Sequence, residues 1–147
     1  MINKPHQRLG SISNAHVGAE FEKLALEYFE STGQLLTRNF SLSIGLAEVK
    51  KHSFDLGSHV VKVIIECKSH KWTLGNKVPG AKMTTWNEAM YYFHLAPKDY
   101  KKIFFTLHDK RKTTGESLVE YYKRTFGHLI PEDVEFLEFD ELTGKVF

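Results

Sequence analysis

Val17, Phe21, Leu24, Ala25, Tyr28 and Phe29 recur at three- and four-residue intervals and predict an amphipathic first helix running to about Ser31. Ser13 or Asn14 can cap its start, and Gly33 supplies a stop signal. The period then changes. Gln34 to Ile44 alternates loosely and reads as a first strand, and Lys51 to Leu56 reads as a second. Val60 to Lys68, opening on the apolar run Val60-Val61-Lys62-Val63-Ile64-Ile65, is the third and clearest. Ser69 to Lys82 holds Gly75, Pro79 and Gly80 and reads as a loop. Thr85-Trp86-Asn87-Glu88 has capping-box form, and Met83, Trp86, Met90 and Phe93 share one face of a second helix that Pro97 ends. Lys102 to His108 is expected as a fourth strand, Gly115 to Phe126 as a third helix and Val134 to Phe139 as a closing strand. The order is that of an α/β domain. At 147 residues, without repeats or linkers, residues 1–147 fit one domain, with residues 1–12 as an aperiodic, mobile arm.

Alternation within the third strand separates its chemistry from its core. Glu66 and Lys68 project from one face, while Val61, Val63, Ile65 and Cys67 project from the other. If the segment around Asp55 is the neighbouring arm of a hairpin turning near Gly57-Ser58, a second carboxylate reaches the same strand end. Two carboxylates and a lysine meeting there suit a hard divalent cation and a metal-activated water. The plainer alternative is an exposed Glu-Lys ion pair, which is common and contributes little. Glu20 lies about 100° from the centre of the apolar stripe of the first helix, where it can skirt the core toward the sheet end or remain solvated.

Phe54-Asp55, ten residues, then Glu66-Cys67-Lys68, preceded by a helix carrying Glu20, resembles the PD-(D/E)xK nuclease superfamily, and within it the restriction-endonuclease-like and Holliday-junction-resolvase-like members. The likeness spans roughly Val17 to Leu107, with Phe54 standing where the family name has proline. It implies a restriction-endonuclease-like core, a mixed sheet flanked by helices in the order α-β-β-β-α-β, with a helix and a strand added at the C-terminal end. It also implies a Mg²⁺-dependent deoxyribonuclease, with Mn²⁺ as substitute. Asp55, Glu66 and the backbone carbonyl of Cys67 would be the metal ligands, Glu20 would support the same ion or a second, and Lys68 would orient the attacking water. Asn87 and Tyr91 fall where some relatives carry glutamine and tyrosine, although here Asn87 replaces the glutamine.

Charge adds a partner class. Residues 1–131 hold 19 Lys and Arg against 12 Asp and Glu, whereas residues 132–147 hold one lysine against six acids. Basic groups at Lys50-Lys51, Lys68 to Lys82, Lys101-Lys102, Lys110-Arg111-Lys112 and Lys123-Arg124 suit a polyanion such as DNA, although solvated lysines are the simpler reading. Lys71, Trp72, Lys77 and Lys82 are the candidate nucleic-acid contacts, with Trp72 either stacking a base or packing on the domain. Cys67, the single cysteine, excludes an internal disulfide and reads as a buried thiol. The eight histidines are scattered, with His52 and His70 placed to approach the site. No glycine loop for a nucleotide cofactor and no serine or cysteine hydrolase motif is present. No apolar stretch is long enough to span a membrane and no signal-peptide core is visible, so a cytoplasmic protein without membrane association is expected. A homodimer would let two sites address both strands of a duplex. The rival readings are an inactive nucleic-acid-binding or protein-interaction module of the same fold, and an unrelated α/β domain whose acidic segment Glu132 to Glu141 docks a basic partner; the latter requires Asp55 and Glu66 to lie apart.

Overall fold

The structure, a computed structural model, describes the backbone from residue 14 and the side chains from residue 17 to Phe147. The arm expected at residues 1–12 lies outside the described residues. The elements follow the order α1 (Asn14–Ser31), β1 (Thr37–Gly45), β2 (Val49–Ser58), β3 (Val63–Lys68), α2 (Gly80–Leu95), β4 (Lys101–Leu107), α3 (Leu118–Phe126), a 3-10 turn (Gly127–Leu129) and β5 (Val134–Phe139). All five strands form one mixed sheet in chain order. β1, β2 and β3 pair antiparallel, as short connections allow, and β3-β4 and β4-β5 pair parallel, each joined by a helical crossover.

Both faces of the sheet are covered, which explains why β3 and β4 are apolar almost throughout. On one face Phe21, Ala25 and Phe29 of α1 pack on Leu56, Val63, Ile65, Cys67, Ile103 and Phe105. On the other, Met83, Trp86, Met90 and Phe93 of α2 and Tyr122 of α3 pack on Phe40, Phe54, Ile64 and Phe104. Gly57 allows the close approach of β1, because a Cβ there would lie 2.3 Å from the Phe40 ring.

Four local expectations need correction. The β2–β3 turn is not at Gly57-Ser58 but at residues 59–62, where Lys62 takes a left-handed conformation and Ser58 Oγ accepts from the Val60 and Val61 N–H groups. Val60 and Val61 are therefore exposed turn residues rather than strand. α2 begins at Gly80, directly after Pro79, so Thr85 sits inside it and bonds back to the Lys82 carbonyl instead of capping. The capping box that does form is Ser117 with Glu120, at the start of α3. Finally, Lys102 is no part of a basic surface: it is fully buried, and its Nζ lies 2.7 Å from Asp133 while also donating to the Pro97 and Tyr100 carbonyls.

Candidate active site

The side chains singled out in the sequence meet because β2 and β3 separate. Their ladder ends at Leu56↔Ile65, and the next step would set Asp55 against Glu66. Here β2 also changes face. Phe54 belongs to the α2-side core and Leu56 to the α1-side core, although strict alternation would put both on one side. β1 turns with it, since the register passes from Arg38↔Leu56 to Phe40↔Phe54 and the intervening Asn39 has φ of 53°. Asp55 therefore points into the gap between β2 and β3, where its Oδ2 accepts from the Cys67 N–H at 2.8 Å. N–H and C=O of one strand residue point the same way, so the Cys67 carbonyl faces the same gap.

Asp55 and Glu66 are close enough for each to act on the charge of the other across the gap. Glu66 is 8% exposed, and its Oε1 has no hydrogen-bond partner among the described residues. Burial, and then the Asp55 charge, push the Glu66 carboxyl up to about 8. Burial likewise raises Asp55, against the opposing Cys67 hydrogen bond and Lys68 charge. Lys68, half-buried at the end of β3, is the cation that offsets both acids. Cys67 is a buried thiol pushed well up by desolvation, which makes it inert.

The sequence reading assigns the helix acid to Glu20, whereas the α1 carboxylate whose charge acts on Asp55 and Glu66 is Glu22. Glu22 pairs with Arg38 of β1 at 3.3 Å, and burial raises its carboxyl. Glu20 is exposed and lines a shallow cleft of about 450 Å³ with Lys23, Glu27 and Glu141. A second cleft, of about 380 Å³, joins Asn87, Tyr91 and His94 to His128 and Ile130. Neither contains Asp55, Glu66 or Lys68. Asn87 accepts from the Tyr122 hydroxyl and Tyr91 is exposed, so this pair lines the second cleft.

The two histidines are framed by aromatic rings. His52 stacks on Tyr92 at 3.7 Å, and burial lowers its pKa, keeping it neutral despite Asp55 and Glu88. His70 Nδ1 accepts from the Trp86 indole at 2.9 Å. Trp72 is packed rather than presented: it is 7% exposed, its N–H groups bond Asp109 and the Glu116 carbonyl, and Arg111 covers its ring. Lys71 is ion-paired with Glu141 at 2.6 Å, and Lys82 lies in the first turns of α2. Because β3 and β4 run parallel, the loops following both leave the sheet at the end where Lys68 stands. Lys77, Lys110 and Lys112 on those loops are exposed.

A buried and a half-buried carboxylate that repel each other, with one acceptor oxygen unmet and a backbone carbonyl alongside, form a donor set for a hard cation. The described residues hold no cluster of three or more His, Cys, Asp or Glu placed to bind a metal, so an ion here would complete its shell with backbone oxygen and water. None of the helices among the described residues is long and apolar enough to cross a membrane. Comparison of the chain with protein-family models, curated proteins and solved structures finds no match.

Proposed function

We propose that the protein is a metal-dependent nuclease hydrolysing phosphodiester bonds in DNA, built on a restriction-endonuclease-like core. The observation that carries this reading is the convergence of half-buried Asp55 and buried Glu66 across the parted strands, with Lys68 beside them. The meander β1-β2-β3 followed by a helical crossover to β4 is the topology that the Asp-x10-Glu-x-Lys resemblance implies. Mg²⁺, or Mn²⁺ in its place, would be held by Asp55, Glu66 and the Cys67 carbonyl. When bound, such an ion neutralises phosphoryl charge and acidifies a water. Lys68 orients the attacking water and donates to the phosphoryl oxygens as negative charge builds on them. Its charge offsets those of the neighbouring acids Asp55 and Glu66, which favours that electrostatic role over general base. Glu22, through Arg38, steadies the α1 side of the gap.

The deciding experiment incubates the protein with labelled duplex, junction and single-stranded DNA in Mg²⁺, Mn²⁺ or chelator. Metal-dependent cleavage is expected, together with Mn²⁺ binding by calorimetry that Asp55→Asn abolishes. Mn²⁺ binding equal in the mutant removes Asp55 from the site, and DNA binding without cleavage by the wild type leaves only a binding module.

DNA affinity should fall steeply with salt, by roughly 0.9 in log-log slope for each phosphate contacted. The rim at the sheet end predicts which lysines set that slope. Lys71 is paired with Glu141, whereas Lys77, Lys110 and Lys112 are exposed on the loops at this end and, among the described residues, are in no ion pair. Replacing these three by alanine should flatten the slope and weaken all DNA sequences about equally. Titration in Ca²⁺ between low and moderate salt checks this, and an unchanged slope moves the phosphate surface elsewhere.

A further inference from the structure

Thr106 Oγ1 is, like Glu66 Oε1, a buried polar atom without a hydrogen-bond partner among the described residues. Thr106 is fully buried on β4 and level with Lys68 in the parallel ladder, while Glu66 is level with Phe104. Ile64 and Phe104 belong to the α2-side core, so alternation turns Glu66, Lys68 and Thr106 toward that same side. Two residues of rise and one strand spacing separate the Glu66 and Thr106 backbones by roughly 8 Å. Two side chains on one face at that backbone separation are within the span that a single water can bridge.

The chemistry of the two atoms is complementary through such a water. A carboxyl oxygen accepts and, when it carries the proton, also donates, and a threonine hydroxyl can do both, so a water between them can be satisfied in either protonation state of Glu66. Three donors of this region are engaged elsewhere, the Trp86 indole with His70, the Tyr122 hydroxyl with Asn87 and the Cys67 N–H with Asp55, while the Lys68 ammonium is half-buried at the strand end and meets neither atom. Buried polar atoms left unmet destabilise a fold, and buried waters occur where polar partners of this kind face one another.

We propose that Thr106 is a positioning residue: a buried water joins its hydroxyl to Glu66 Oε1 and fixes the Glu66 carboxylate against Asp55. The bridge stands independently of the nuclease reading, whereas its effect on cation affinity rests on that reading. Groups that orient metal ligands typically change affinity by about 10- to 100-fold when removed. The test combines crystal structures of the metal-free wild type, Thr106→Val and Thr106→Ser with Mn²⁺ calorimetry on each. A solvent peak within hydrogen-bonding distance of both atoms is expected in wild type and Thr106→Ser and not in Thr106→Val. Thr106→Val should bind Mn²⁺ about 10-fold or more weakly with no loss of melting temperature, and Thr106→Ser should restore affinity. A wild-type structure without the shared peak overturns the proposal, as does wild-type Mn²⁺ affinity in Thr106→Val or equal weakening in both variants. A shared peak in a protein that takes up no Mn²⁺ supports the bridge and overturns the metal reading alone.

Discussion

Lys68→Ala is expected to lose DNA cleavage by about 10²-fold or more while keeping its fold and its affinity for DNA. Removing one preorganised donor to a developing oxyanion commonly has an effect of that size on turnover. The structural contribution of the same side chain is small, because Lys68 lies at the last position of β3, half in solvent. The Lys68 charge opposes the repulsion between Asp55 and Glu66, so its removal raises both carboxyls further and weakens cation binding near neutral pH. Cleavage assays at saturating Mn²⁺ and at pH 8.5 or above separate the two effects. Activity recovered there would make Lys68 a charge balancer, and activity still lost would make it a participant in the reaction. A large drop in melting temperature would return Lys68 to the structural ion pair.

Much of this site is legible in the sequence because it depends on period-two alternation along one apolar strand. Glu66 and Lys68 follow from the run that ends at them, and Asp55 from the preceding arm. The hairpin turn was less legible, since Val60-Val61 has the composition of a strand while Ser58 Oγ fastens the backbone into a turn around it. α2 illustrates a related failure. Thr85-x-x-Glu88 satisfies the capping pattern, but the same residues serve equally well in a helix interior, and the effective start signal was Pro79-Gly80.

The helix acid shows a limit of periodicity itself. Phe21, Ala25 and Phe29 form the buried row of α1, with Glu20 about 100° to one side of Phe21 and Glu22 about 100° to the other. About the wider stripe visible in the sequence, which adds Val17, Leu24 and Tyr28, the two acids are symmetric. Only the placement of α1 across β2 and β3 decides that Glu22 approaches Asp55 while Glu20 faces the Glu141 side. The change of face at Asp55 was similarly hidden, because it requires Asn39 on the neighbouring strand to adopt a left-handed conformation at the same register. Thr106 carried no signal at all: a threonine in an apolar strand is ordinary β composition until its hydroxyl is found buried and unpartnered on the strand next to Glu66.

Glu66→Gln should separate stability from function, and the sign of its pH dependence is determined by burial. The folded state holds the Glu66 proton up to about 8, well above the ordinary carboxylate range of the unfolded chain. Between those values the native state binds more protons than the unfolded state, so the stability of the metal-free protein falls as pH rises. The contribution is fully present below about pH 4.5 and lost through about pH 8, with Asp55 adding in the same direction. Its magnitude is on the order of a few kcal/mol. Glutamine cannot ionise, so Glu66→Gln should remove most of that slope and be more stable than the wild type near pH 8 in chelator. The same substitution removes a charged ligand and should abolish Mn²⁺ uptake and cleavage. Mn²⁺ should stabilise the wild type most at high pH, where both acids are ionised, and leave the variant unaffected. Urea unfolding from pH 5 to 9, with Mn²⁺ or with chelator, measures all of these. A flat profile for the metal-free wild type would mean that Glu66 is not held protonated by its surroundings, and the electrostatic basis for a cation between Glu66 and Asp55 would go with it.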